Sequence, residues 1–271
     1  MILFEITNTE NHPLYQALEV SNGARQYDFL RSIVAIAIGA DRRFLSQHII
    51  KALNFQAITC LHTNPGEFRP CPVTVGNGGP GDFIPPQHFQ VQALMDDFVN
   101  MVNSKWESSD PIGLAAFTLW RLNYIHPFIN GNGRTARAAC YYVLCVKAGD
   151  WLPGETILPE LIRQERAAYV HALRAVDRSH LAGTLDLTPL HSFLSILLTR
   201  QLESAGIMPP GSAAGLQAAA DQAAAEQAAA DQAAVDMQAA GPQPNQPVQQ
   251  ADDPNAVVAA PVEPAAPDSA Q

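Results

Sequence analysis

The residues of this sequence best placed to do chemistry are one histidine and two arginines set around a pair of glycines. They fall in the run His126-Pro127-Phe128-Ile129-Asn130-Gly131-Asn132-Gly133-Arg134-Thr135-Ala136-Arg137. An imidazole titrates in the physiological range, so neutral His126 can take a proton from an incoming hydroxyl. Arg134 and Arg137 are three apart and share a face of a first helical turn. Guanidinium groups suit planar, two-pronged contacts to phosphate. Gly131 and Gly133 free the backbone for a tight turn. With Asn132 between them they present N–H groups to phosphate oxygens and stabilise charge that grows in a transition state. The Asn132 amide is a further donor, and Phe128 reads as the anchor of the loop in the core. Together these residues form a phosphate cradle with a base at its mouth. The alternative is an ordinary loop, with glycines for the turn and arginines for solvent.

A cradle of this kind needs two helices to hold it, and the sequence supplies them. Ile112 to Tyr124 is apolar and reads as a buried helix, with Asp110 as N-cap, Pro111 in the first turn, and Phe117 and Trp120 packed. Thr135 to Ala148 reads as the second, ending at Gly149 as C-cap. Pro127 cannot continue the first helix and is expected to push His126 into an extended geometry. The second helix starts within or just after the glycine turn. Its unpaired N–H groups and positive dipole end then point at that turn, which makes an anion site.

Other helices follow from apolar spacing. Phe29 to Gly39 is one. Arg42 to Phe55, with Phe44, Leu45, His48, Ile49 and Leu53, is another. Val91, Leu94, Met95, Phe98, Val99 and Val102 make an amphipathic stripe after Pro85-Pro86. Pro159 opens a helix carrying Leu161, Ile162, Tyr169, Leu173 and Val176, and Asp186 to Glu203 reads as the last. Residues 1–27 give no clear pattern, and His48 and His62 read as surface or packing residues. Between Asn64 and Gly76 a Pro65-Gly66 turn leads into an extended segment with alternating Val73 and Val75, broken by prolines. This is an edge strand or hairpin arm, able to accept another chain by strand addition or serving as a plain surface hairpin. The fold class is therefore all-α with a small β-hairpin.

Composition narrows the function. The 271 residues carry a formal charge of −10, yet all 16 Lys and Arg lie before residue 201. The acidity belongs to the tail, where Asp221, Glu226, Asp231, Asp236, Asp252, Asp253, Glu263 and Asp268 lie. The rest is near neutral, with no basic patch for nucleic acid. Cys60, Cys71, Cys140 and Cys145 show no metal-ligand spacing, and a disulfide framework is not expected. Met1 to Glu10 shows no signal-peptide pattern, and Ile33 to Ala40 is too short to span a membrane. A cytoplasmic protein is expected, with delivery into another cell left open. From Gln217 to Asp236 runs a pentad repeat, QAAAD-QAAAE-QAAAD-QAAVD, which matches neither the heptad nor the helical turn. A fluctuating helix is expected there, then a Pro/Gln/Ala-rich disordered end from Pro242.

The central run resembles the signature of Fic-domain (Fido) proteins, H-P-F-x-[D/E]-G-N-[G/K]-R followed by x-x-R. Every position matches but one: Asn130 stands where that family has Asp or Glu. Further resemblance runs from about Phe44 to Leu202. It implies a Fic-type helical bundle with a β-hairpin flap, divided as a 1–43 N-terminal helical segment, a 44–205 Fic core with its C-terminal helices, and a 206–271 low-complexity disordered tail. It implies protein adenylyltransfer (AMPylation): ATP binds through Asn130, Gly131, Asn132, Gly133, Arg134 and Arg137, a Ser, Thr or Tyr hydroxyl of a target protein attacks the α-phosphate, and His126 is the base. The flap would be Glu67, Phe68, Arg69, Val73, Thr74 and Val75, holding the target's backbone. The family's acid binds the Mg2+ or Mn2+ that bridges the phosphates; Asn130 keeps a carbonyl oxygen for that metal but no charge. Weaker metal binding, a different phosphate-containing donor, or a catalytically weak nucleotide-binding interaction module all follow from that change. Many relatives are restrained by a helix bearing [S/T]-x-x-x-E-[G/N]. Here the helical match is Thr199 to Glu203, with Ser204 off pattern, so Glu203 is the candidate inhibitory residue. Thr63 and Glu67 share the spacing but fall in a turn. A solvated helix end at Glu203 and a separate inhibitory partner are the alternatives.

Overall fold

The structure, a computed structural model, describes residues 2–76 and 82–207, together with Gln227. Apart from Gln227, the expected pentad helix and disordered end lie outside the described residues. The body is a bundle of helices: α1 (Leu3–Thr7), α2 (Pro13–Gly39), α3 (Gln47–Ile58), α4 (Val91–Ser104), α5 (Pro111–Ile125), α6 (Asn132–Ala148), α7 (Leu158–Gln164), α8 (Arg166–Leu181) and α9 (Thr188–Ser204). No strand occurs among the described residues. The expected hairpin is represented there by one antiparallel bridge, Val75 to Phe83.

Two adjacent helices form the centre. In α6 the residues from Ala138 to Val146 are all buried, and α5 buries Leu114 to Trp120 in an unbroken run. A helix apolar on every side must be covered on every side. Accordingly α6 packs on α5, α3, α2 and α7, while α5 also meets α4, α8 and α9. Each fully buried large side chain, such as Trp120, Tyr141 or Leu119, stabilises the fold by roughly 1.5–3 kcal/mol through the apolar surface it removes from water.

The caps fall where residue chemistry places them. Asp110 accepts from Gly113 N–H at 2.7 Å, with Pro111 next to it in the first turn of α5. Gly149 closes α6 at φ 79°, a left-handed geometry that costs glycine nothing. Three expectations are corrected. Helix α2 starts at Pro13, far ahead of Phe29; its apolar residues sit among Asn22 and Gln26, which are buried and bond to backbone carbonyls of α3 and its C-cap, so its stripe is hidden from a hydropathy reading. Helix α3 starts at Gln47, capped by Ser46, not at Arg42. The single helix expected from Pro159 is two, broken at Glu165, whose ψ is 44°.

Candidate functional site

A cavity of about 980 Å³ opens where α2, α6, α7 and the α5–α6 loop meet. That is within the size of small-molecule sites. It brings together His126, Asn130, Gly131, Asn132, Gly133, Arg134 and Arg137, and adds Thr74 and Val75 from the extended segment.

The loop is shaped from below. Gly131 is the N-cap of α6 at φ 75°, and a Cβ there would lie 2.5 Å from Ile58 Cγ2. Only glycine fits. The first intrahelical bond of α6 is Thr135 N–H to Gly131 O at 2.9 Å. The N–H groups of Asn132, Gly133 and Arg134 therefore have no upstream helical carbonyl to take, and they carry the positive end of the helix dipole. The Asn132 side chain does not extend this cradle. It is buried, accepting from Phe128 N–H and donating to Phe128 O, both at 2.9 Å. Its role is to close the loop. Asn54 of α3, which the sequence did not single out, ties three stretches together: its amide donates to Asn130 O (2.9 Å) and Thr135 Oγ1 (3.2 Å), and its oxygen accepts from Gly66 N–H (3.0 Å).

His126 ends α5, but its backbone is left-handed (φ 51°, ψ 59°), not extended. Its N–H donates to Leu122 O at 3.0 Å, continuing the helical ladder one step further before Pro127 stops it. A left-handed turn at a non-glycine residue is strained by about 1 kcal/mol or more, and such strain concentrates at functional sites. The ring Nδ1 lies 3.3 Å from Asn123 O. A carbonyl only accepts, so Nδ1 carries the hydrogen and Nε2 keeps its lone pair. Burial, with Arg69 adding to it, pushes the imidazole pKa down to about 4 against the pull of the Asn123 carbonyl. The ring is neutral at pH 7.

Arg134 lies in the cradle with its guanidinium engaged by protein: Nη1 donates to Ala57 O (3.0 Å), Nη2 to Asn130 Oδ1 (3.0 Å), and Glu19 Oε1 sits 3.3 Å from Nη1. Arg137 keeps a buried Nε with no hydrogen-bond partner. Such a donor is unfavourable to bury unless something accepts from it. Asn130 is held from both ends, its amide donating to Glu10 Oε1 at 2.9 Å. Glu10 in turn lies 3.3 Å from His62 Nε2, which bonds Tyr15 OH at 2.7 Å. Glu10 and Glu19, the carboxylates beside Asn130 and Arg134, thus come from the N-terminal segment, whose pattern gave no signal. Glu203 is not among the cavity residues; it lies in the last turn of α9.

No group of three or more His, Cys, Asp or Glu able to hold a metal is gathered among the described residues. The carbonyl oxygen of Asn130 already accepts from Arg134. These residues do not fit a resident metal.

The extended segment divides by role. Glu67 pairs with Lys51 at 3.0 Å, and Lys51 Nζ sits 4.5 Å above the Phe68 ring, which packs on Phe128. Arg69 is buried and bonds the carbonyls of His126 and Cys71. These three anchor the segment. Val73, Thr74 and Val75 run outward. Val75 and Phe83 exchange both backbone bonds, at 2.9 and 3.0 Å. In an antiparallel pair the neighbouring residue then turns its N–H and C=O the opposite way, so Thr74 presents its main chain away from Phe83. The far wall carries Tyr27 of α2, Glu160 and Arg163 of α7, and Arg166 of α8. Arg163 holds Glu160 at 2.6 and 2.8 Å and keeps that carboxyl below its ordinary pKa. No spacing in the sequence linked these residues to the central run.

Residues 44–144 match the family model described as Fic/DOC. The chain is similar to a protein from Drosophila willistoni named "Protein adenylyltransferase Fic", 34% identical over 146 residues, which is 52% of this chain and 26% of that protein. It spans about a quarter of the length of the curated relatives it matches. Among solved structures it resembles a Fic family protein from Desulfovibrio desulfuricans G20, with TM-score 0.56 and 22% identity over 72% of this chain and 54% of that one. A Fic domain-containing signalling protein from Bacteroides thetaiotaomicron VPI-5482 gives TM-score 0.56 and 21% identity over 69% and 71%. At these identities the likeness is one of fold.

Proposed function

We propose, for a chain that belongs to the Fic/DOC family through its residues 44–144, that it transfers AMP from ATP to a Ser, Thr or Tyr hydroxyl of a target protein. The observation that carries this reading is a neutral imidazole, its Nε2 lone pair available, on the same cavity as the bare N-terminus of α6. The hydroxyl oxygen forms a bond to the α-phosphorus while its proton passes to His126 Nε2. The bond from that phosphorus to the bridging oxygen breaks, and pyrophosphate leaves. The N–H groups of Gly133 and Arg134, with the Arg134 and Arg137 side chains, take the charge that builds on the phosphate oxygens. Mg2+ or Mn2+ arriving on the nucleotide would neutralise further charge. The target would add a strand along Thr74 and Val75, which sets its hydroxyl over the cavity.

A second reading, nucleotide binding with little turnover or transfer from another phosphate-containing donor, draws support from Asn130 and from Glu19 standing against Arg134. Intact-mass spectrometry of the full chain with candidate targets, ATP and Mg2+ or Mn2+ separates the two. Wild type should give an adduct of AMP mass that His126→Ala abolishes. An adduct confined to Asn130→Asp would favour the binding module. Mass of another group would redirect the donor.

A further inference from the structure

Arg69 is a buried guanidinium, 3% exposed, that is met by no carboxylate in an ion pair among the described residues. Backbone carbonyls answer its charge instead. Nε donates to His126 O at 2.8 Å, Nη1 to Cys71 O at 3.1 Å, and Nη2 to Pro86 O and, at 3.5 Å, to Ile125 O. Its own N–H donates to Pro127 O at 2.8 Å. A buried charge is tolerated only when its donors are used, and here one planar fork reaches carbonyls from three separate stretches.

Those stretches are the ones a transfer would have to keep in register. Ile125 and His126 end α5, where carbonyls have no helical N–H ahead of them and the dipole is negative, so a cation there stabilises the turn. Cys71 and Pro86 lie on the two arms that meet at the Val75–Phe83 bridge. We propose that Arg69 is a positioning residue: one guanidinium fixes the strained His126 turn and both arms of the hairpin as a single unit, so that a target strand seated on the hairpin is registered against the base. This rests on the transferase reading above.

The test is Arg69→Lys in the full chain. The charge stays, but an ammonium lacks the planar fork. We expect kcat to fall at least tenfold, the KM for the target to rise several-fold, and the nucleotide Kd to stay within twofold, because the cradle is untouched. Imidazole NMR, with His126 assigned from a His126→Asn spectrum, should show its titration midpoint moving up toward the ordinary value of about 6.5 as the turn opens. A lower kcat with KM and midpoint both unmoved would leave Arg69 a mere packing residue and overturn the proposal. Should Arg69→Lys fail to fold, amide exchange on the wild type decides: the N–H groups of Arg69, Val75, Phe83 and His126 should exchange at similar rates, as one opening. Rates for Val75 and Phe83 orders of magnitude faster than those of Arg69 and His126 would also overturn it. If wild type binds nucleotide but transfers nothing, the transferase reading fails on its own, while titration and exchange still report on the coupling.

Discussion

An imidazole that keeps its proton only below about pH 4 is already in its accepting form wherever a cell works, and it is a weak base by the same token. The rate should therefore be level between pH 6 and 8 and fall only toward pH 4; a kcat profile with its acid limb at 6.5 would mean that the ring is not buried as described. The same shift bears on stability. The folded state holds the lower pKa, so between pH 6.5 and 4 the unfolded chain takes up a proton that the folded one refuses, and stability is lost as pH falls through that window. His126→Ala should lower transfer by roughly 10²–10⁴-fold while leaving the nucleotide Kd within a few-fold. Glu19 offers the opposite sign. Its carboxylate lies 3.3 Å from an Arg134 nitrogen, where a phosphate oxygen would sit, so Glu19→Gln should tighten nucleotide binding by several-fold in calorimetry. Unchanged binding would mean that the pair yields without competing.

At the scale of the elements, the site depends on how α3, α5 and α6 hold one loop. Asn54→Ala would strip partners from buried Gly66 N–H and Asn130 O at once. Leaving buried polar groups unpaired costs about 1–3 kcal/mol each, and a denaturant melt should register a loss of that order. The α5–loop–α6 arrangement could be read from the sequence because its signals are local: Asp110-Pro111 opens one helix, Pro127 stops it, and Gly131 and Gly149 bracket the next. The left-handed turn at His126 could not, since it is held by a guanidinium 57 positions earlier in the chain. Nor could Glu10, Glu19 or Asn54, whose partners in the loop and the first turn of α6 are far off in sequence. The reading of α2 failed for a related reason. Its buried face contains Asn22 and Gln26, polar residues satisfied by carbonyls of α3 and its C-cap, and hydropathy counts them as surface.

At the scale of the molecule, every site residue described above lies within residues 2–207. Among the described residues no helix is long and apolar enough to cross a membrane. A chain ending at residue 207 should melt within about 2 °C of the full chain, a shift worth about 0.5–1 kcal/mol for a body of this size, and bind nucleotide equally well; a drop in either would give the remaining residues a part in the site. The paired bonds between Val75 and Phe83 carry a last consequence. If a guest strand docks on the outward main chain of Thr74, it is read by peptide groups, which all residues share. Such a reader has no alphabet; it has only a ruler. Moving the acceptor hydroxyl one residue along the guest would turn it to the opposite face, and moving it two would restore the face but shift it by about 7 Å. Targets would be chosen by where the hydroxyl stands and hardly by what surrounds it, and their sequences need share no motif.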